Sequence, residues 1–339
     1  MRRGAIVRLV TVGLVIGAAV FALAYFVRWL PESASKERGG IDFVFWFTTG
    51  ICIFIFALVG SIIVYSVVKF RAAPDDDSDG PPIHGHTGLE IVWTAIPAVL
   101  VTAISVVSGV VLARNDRIPD GAMHVKVTGV QFAWSFEYTA ANKLSTGDLH
   151  LPKGRTTVFD IGSKDVIHSF WVPEFGQKLD ALPGQSNELK VTPTKTGTFP
   201  IICTELCGLG HSVMRSQAIV MEPAAFDAWL KKESEKLDDG GGGAGKAVFA
   251  NQGCGACHTL KAAGATATVG PDLDKLPEEA QRAGKPLEEF VRESIVDPNE
   301  YIEPGFPKNV MPPNYEEAIP REQLDALVGF LVESSREAK

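Results

Sequence analysis

The sequence predicts a multidomain membrane protein: a transmembrane helical hairpin with one further apolar segment before it, then a β-sandwich, then a helical domain. Three observations predict this. Three long apolar runs lie within the first third of the 339 residues. Short strand-like segments bounded by Gly, Pro, Asn and Asp follow, at the spacing of a sandwich or barrel. A glycine run then separates them from a segment with helical periodicity.

The apolar runs cover Leu9–Val27, Phe43–Val68 and Ile91–Ala113. The second and third carry no charge and exceed the ~20 residues that cross a bilayer core, so residues 41–115 read as a helical hairpin. The first, in residues 1–40, follows Arg2, Arg3 and Arg8 and fits either a signal peptide or a third helix. Those arginines, with Lys69 and Arg71 after run two, bias both ends toward the cytoplasm. Everything after about Arg114 is then expected outside. Glu90 opens run three, where position alone makes it an interfacial carboxylate. Pro97 inside that run is expected to kink it.

Between Met123 and Met221, segments such as Val125–Thr128, Thr156–Asp160, Asn187–Thr192 and Ser216–Met221 read as strands. Ala224–Leu237 reads as an amphipathic helix that completes a domain over 116–237. Residues 238–245 form a Gly-rich linker of about 15 Å mean reach. The last domain, 246–339, closes with Leu324, Leu327, Val328 and Leu331 on one helical face. Its 10 Lys+Arg against 16 Asp+Glu leave it at −6. The whole chain is at −8, which gives a nucleic-acid role no electrostatic footing.

Of five cysteines, Cys52 lies in an apolar run and the rest form two close pairs. Cys254-Gly-Ala-Cys257-His258 is the C-x-x-C-H pattern of covalent haem c attachment. Two thiols add to two vinyl groups, and the next imidazole meets the iron. A zinc half-site would need a second cysteine pair, and a redox pair would need a βαβ context. Past His258 the only thioether is Met311, in the stiff segment Asn309-Val-Met-Pro-Pro313, and it is the candidate sixth ligand. Gly270–Leu273 is expected along the haem edge.

Cys203-Thr-Glu-Leu-Cys207-Gly-Leu-Gly-His211-Ser-Val-Met214 places two thiols, one imidazole and one thioether in twelve residues. Soft sulfur donors with imidazole select copper. Two cysteines allow two bridged metal ions, each needing one His. The second His comes from His124, His150 or His168, and His168 lies at a strand end among apolar residues. A Cys203–Cys207 disulfide would explain the cysteines but not His211 and Met214 at loop spacing.

From about Ile41 on, the chain resembles subunit II of haem–copper cytochrome c oxidases in the caa-type form with a fused C-terminal cytochrome c domain. The resemblance rests on Glu90-Ile-Val-Trp93, Asp165-Val-Ile-His-Ser-Phe170, Lys178–Gly184 and the Cys203–Met214 loop. It implies a cupredoxin-like β-sandwich and an all-α cytochrome c domain. It implies a binuclear CuA centre of two copper ions held by His168, Cys203, the Glu205 carbonyl, Cys207, His211 and Met214. The Glu205 side chain would reach a Mg²⁺ shared with subunit I, and Glu90 would stand at the mouth of a proton path. One departure is Gln131-Phe-Ala-Trp134, which places Phe132 where the family has the Trp credited with accepting electrons from soluble cytochrome c. A tethered donor at high effective concentration would account for it.

The implied role is serial transfer, from an upstream donor (a bc-type complex or cytochrome c) to the haem, to CuA, and on to the O₂-reducing site of subunit I. Subunits I and III are the expected partners. The expected place is the bacterial plasma membrane with both redox domains outside. No catalytic O₂ site is expected in this chain itself. The rival readings are a CuA-bearing nitric-oxide reductase subunit and a copper-delivery or redox protein.

Overall fold

The computed structural model of the chain describes residues 3–71, 75, 80, 82, 84–141, 144–238, 243–313 and 315–338. Arg2 of the basic start and residues 239–242 of the expected linker lie outside the described residues. The chain divides into two compact units, Met1–Glu32 with Gly39–Arg117, and Ser33–Arg38 with Ile118–Lys339.

The first unit is built on α1 (Arg3–Phe26), α2 (Lys36–Lys69) and α3 (Thr87–Asn115), each long and apolar enough to cross a membrane. Large apolar side chains such as Leu14, Phe54, Ile63 and Val101 point outward, as they do when lipid is the solvent. The leading segment is therefore a helix, and it has a packing face. A Cβ on Gly13 would lie 3.5 Å from Ser61, and one on Gly17 would lie 3.5 Å from Ala57. Small residues four apart on both helices let the backbones approach. Pro97 sits inside α3 without ending it.

Glu90 lies in the first turn of α3. The His86 ring accepts from the Leu89 N–H at 3.1 Å, and the Glu90 carboxylate accepts from the His86 N–H at 3.1 Å. This reciprocal arrangement satisfies two of the donors that a helix start leaves free.

The second unit contains two five-stranded sheets. Their strands are β1 (Met123–Val130), β2 (Ala133–Tyr138), β3 (Leu144–Thr146), β4 (Leu149–Pro152), β5 (Thr157–Ser163), β6 (His168–Trp171), β7 (Lys178–Ala181), β8 (Asn187–Val191), β9 (Gly197–Cys203) and β10 (Arg215–Met221). One sheet runs β3-β2-β1-β5-β8 and the other β4-β10-β9-β6-β7. Alternation sets the inner face: Val125 and Val127 of β1 are buried, while His124 and Lys126 are not. Phe170 is the hub between sheets. Its ring lies 5.5 Å from both Trp134 and Phe159 and 6.2 Å from Phe136. Tilted and edge-on aromatic pairs add about 0.5–1.5 kcal/mol each beyond area burial. Residues 33–38 join this unit through Glu37, whose carboxylate accepts from the Thr192 N–H at 2.9 Å.

Helix α4 (Pro223–Asp238) follows, and α5 (Gly243–Asn251) opens the last domain. The expected linker is thus helical at both described ends: Asp238 closes α4 and residues 243–245 begin α5. Gly245 is buried, and a Cβ there would lie 2.2 Å from the Ala326 carbonyl oxygen, so this glycine serves close packing rather than flexibility. The domain continues with a short hairpin, β11 (Thr259–Leu260) and β12 (Ala265–Thr266), then α6 (Leu276–Ala283), α7 (Leu287–Val296), α8 (Tyr315–Ala318) and α9 (Arg321–Glu337). Leu324, Leu327, Val328 and Leu331 of α9 are buried against Val248, Phe249, Phe290 and Val291.

Candidate metal centre and haem cleft

Sheet pairing assembles the first site. β6 and β9 run antiparallel with Phe170 opposite Cys203, which brings His168 to the end of β9 across 35 residues of sequence. The loop after Cys203 returns Cys207, turns through His211–Val213, and enters β10 after Met214. Cys203 Sγ lies 3.9 Å from His168 Nδ1, 3.9 Å from Cys207 Sγ and 3.3 Å from the Glu205 carbonyl oxygen. Cys207 Sγ lies 3.5 Å from His211 Nδ1 and 3.7 Å from Met214 Sδ. Both cysteines are free. His168, Cys203 and Cys207 offer donor atoms within 4.8 Å of one another, all buried. All six expected donors therefore meet in one place, and soft sulfurs with two imidazoles suit a copper pair. The Glu205 side chain is exposed. His124 instead contacts Asp160, and the His150 ring stacks on Trp229 with centroids 3.9 Å apart.

Asp165 is a partner of His168 that the sequence reading did not single out. Its carboxylate meets His168 Nε2 at 2.9 Å, which leaves Nδ1 for the cluster. A carboxylate behind a ligating imidazole fixes its tautomer and raises its basicity. Burial raises the Asp165 carboxyl, but bonds from His168 and from the N–H groups of Gln131 and Val166 outweigh it, and the net direction is down. Burial lowers His168, and the bond to Asp165 reverses this. Burial also raises the Cys203 thiol, yet contact with His168 brings it down to about 6. Burial and the neighbouring Cys203 charge push Cys207 up. The signal was available, since Asp165 stands three residues before His168.

The second site is a cleft of about 1050 Å³ of space, open solvent included, lined by Cys254, Cys257, His258 and Met311. The positive φ of Gly253 starts a tight turn over Cys254–Ala256. His258 Nδ1 lies 2.8 Å from the Pro271 carbonyl, so Nδ1–H donates there and Nε2 stays open as an iron ligand. Burial lowers the His258 pKa, which keeps the ring neutral. Burial pushes the Cys254 thiol up to about 12. Gly270, Pro271 and Leu273 line the cleft. These residues fit a haem edge attached by two thioethers.

Two further features were not read from sequence. Glu279 lines the cleft and is 5% exposed. Burial first, and then the charge of Glu303, raise its carboxyl to about 7. Gln131 and Phe132, from the β-domain, also line this cleft. Phe132 of the β-domain thus faces the same space as the last domain's Cys254, His258 and Met311. That domain is fixed there: Ser135 Oγ donates to Asn251 Oδ1 at 2.8 Å, Ser145 reaches the same atom, and a Cβ on Gly253 would fall 1.9 Å from that of Ala133.

Fold and sites together define a membrane-anchored cupredoxin carrying a c-type cytochrome domain. Profiles for the transmembrane domain of cytochrome c oxidase subunit II, for its periplasmic domain and for cytochrome c match residues 22–111, 146–223 and 243–335. Cytochrome c oxidase subunit 2 of Alkalihalophilus pseudofirmus is 33% identical over 297 residues, covering 82% of this chain and 84% of the relative. That of Bacillus sp. strain PS3 is 30% identical, covering 78% and 79%. That of Thermostichus vulcanus is 30% identical, covering 66% and 84%. The chain belongs to the cytochrome c oxidase subunit II family, in the form with a fused cytochrome c domain. The family implies copper in the β-domain and haem in the last domain. Oxidase names support that reading over nitric-oxide reduction or copper delivery.

Proposed function

We propose that this subunit relays single electrons from an upstream donor into its last domain, across to its β-domain, and on to subunit I of the oxidase. The observation that carries this is one cleft wall shared by the two domains: Gln131 and Phe132 face the same space as Cys254, Cys257, His258 and Met311. When bound, the haem and the copper pair supply reversible one-electron chemistry. Cys254 and Cys257 would anchor the porphyrin, and His258 and Met311 would ligate its iron, a pairing that raises the potential. Cys203, Cys207, His168, His211, Met214 and the Glu205 carbonyl would hold two copper ions. The Glu205 carboxylate is free to face a Mg²⁺ shared with subunit I.

Glu90, at the start of α3, is assigned to the mouth of a proton path. Arg3 and Arg8 in the first turns of α1, with Lys69 at the end of α2 and Arg71 just after it, support a bacterial plasma-membrane orientation with both redox domains outside. Subunits I and III are the proposed partners, with a bc-type complex or cytochrome c as the donor. The test is purification of the complex with metal analysis, a haem c spectrum and copper EPR. Two coppers and one haem c per chain, with a mixed-valence EPR signal, are expected. Cys203→Ser should remove that signal and leave the haem band, and a chain without either group would refute the assignment.

A further inference from the structure

Resting on that relay reading, we infer that Gln131 is the positioning residue that couples the haem cleft electronically to the copper ligands. It is half-buried and occupies the cleft wall beside Phe132. From there it makes two hydrogen bonds in different directions. Its side-chain Nε2–H donates to the Cys207 carbonyl oxygen at 2.5 Å. Its backbone N–H donates to Asp165 Oδ2 at 2.7 Å, and the other Asp165 oxygen meets His168 Nε2 at 2.9 Å. One residue of the cleft therefore reaches Cys207 on one side and, through Asp165, His168 on the other.

The site is built for contact rather than for display. A Cβ on Gly208 would lie 2.8 Å from Gln131 Nε2, and one on Gly210 would lie 2.4 Å from the Phe132 ring. The glycines of the copper loop thus let that loop close onto the Gln131–Phe132 pair. On the opposite side, Gly253 sits against Ala133 immediately before Cys254. The bonded path from cleft to copper donors runs through Gln131 and, by its second branch, Asp165. The step is simple in balance. When bound, the haem would give up the one electron that the copper pair would accept, and no proton or bond changes hands at Gln131.

The test uses the full chain in its oxidase complex. Gln131→Met keeps the side chain's length and the backbone branch but removes the amide donor. The haem is reduced by a flash from a ruthenium-polypyridyl photoreductant, and transfer to copper is followed optically. Transfer should slow roughly ten-fold, within the range typical of outer-shell substitutions. The haem spectrum, copper EPR and both potentials should stay as in the wild type. An unchanged rate would overturn the inference. So would a slower rate with an altered copper potential or EPR spectrum, which would make Gln131 only a shaper of the copper loop. A rate that becomes viscosity-dependent would make it only a docking residue and overturn the coupling role. Wild-type protein lacking copper or haem would instead strike the relay reading itself, and the inference with it.

Discussion

The copper cluster and the haem cleft sit in one unit, yet they are made in different ways. His168 opens β6, Cys203 closes β9 and Met214 directly precedes β10, with Cys207 and His211 on the loop between. The β6–β9 pairing that joins the first two is continuous with a core centred on Phe170. Each imidazole, and the Met214 sulfur, lies within 4 Å of a cysteine sulfur. The cleft is lined by turns and by the loop that carries Met311, around a volume that protein atoms do not fill. A sheet holds ligands such as His168 and Cys203 through its own backbone pairing. Loops around an apolar cleft depend on the group that fills it, because the lining side chains otherwise lose their packing partners.

The largest expected effect tests that contrast directly. Cys254→Ser with Cys257→Ser should prevent haem attachment and abolish slow hydrogen exchange in α5, α6, α7 and α9. Copper EPR should persist. Persistent protection in those helices would show that the cleft needs no occupant.

A smaller effect lies in pH. The folded Glu279 carboxyl stands near 7 against an ordinary value of 4.5, so the native state binds its proton more tightly than the unfolded chain does. Its contribution is fully present below 4.5 and is lost as pH rises through 7. The loss should be on the order of 2 kcal/mol, below the full linkage value because the open cleft screens the charge. Glu279→Gln should flatten the stability–pH curve of the last domain between pH 4.5 and 8. An unchanged slope in thermal melts of the holoprotein would assign the effect elsewhere.

The smallest effect concerns the preset site. Asp165→Asn keeps size but removes the charge behind His168. Copper affinity should fall roughly ten-fold, about 1.4 kcal/mol, measured by competition with a chelator. A loss of all copper would show that the sheet alone does not preset the imidazole.

Much of this was legible beforehand. Apolar length alone marks α2 and α3, because a bilayer demands ~20 apolar residues whatever surrounds them. The strands at 125–128, 156–160, 187–192 and 216–221 and the helix after Ala224 all have counterparts in β1, β5, β8, β10 and α4. The linker was misjudged at Gly243–Gly245, because a glycine run looks the same whether it must flex or must pack closely. Gln131 was overlooked because its partners, Asp165 and Cys207, lie 34 and 76 residues ahead. Asp165 stands only three residues before His168, but Gln131, which reaches its other oxygen, is 34 residues behind.

By itself, the sequence determined the ligand chemistry and its local spacing. Cys254, Cys257 and His258 lie within five residues, and Cys203 through Met214 within twelve, so covalent connectivity already holds those donors together. The tertiary structure decided which histidine joins the cysteines, what stands behind it, and which residues the two domains share. Those outcomes depend on strand register and on glycine-permitted contact between segments far apart in the chain. A linear pattern of residue types carries neither distance.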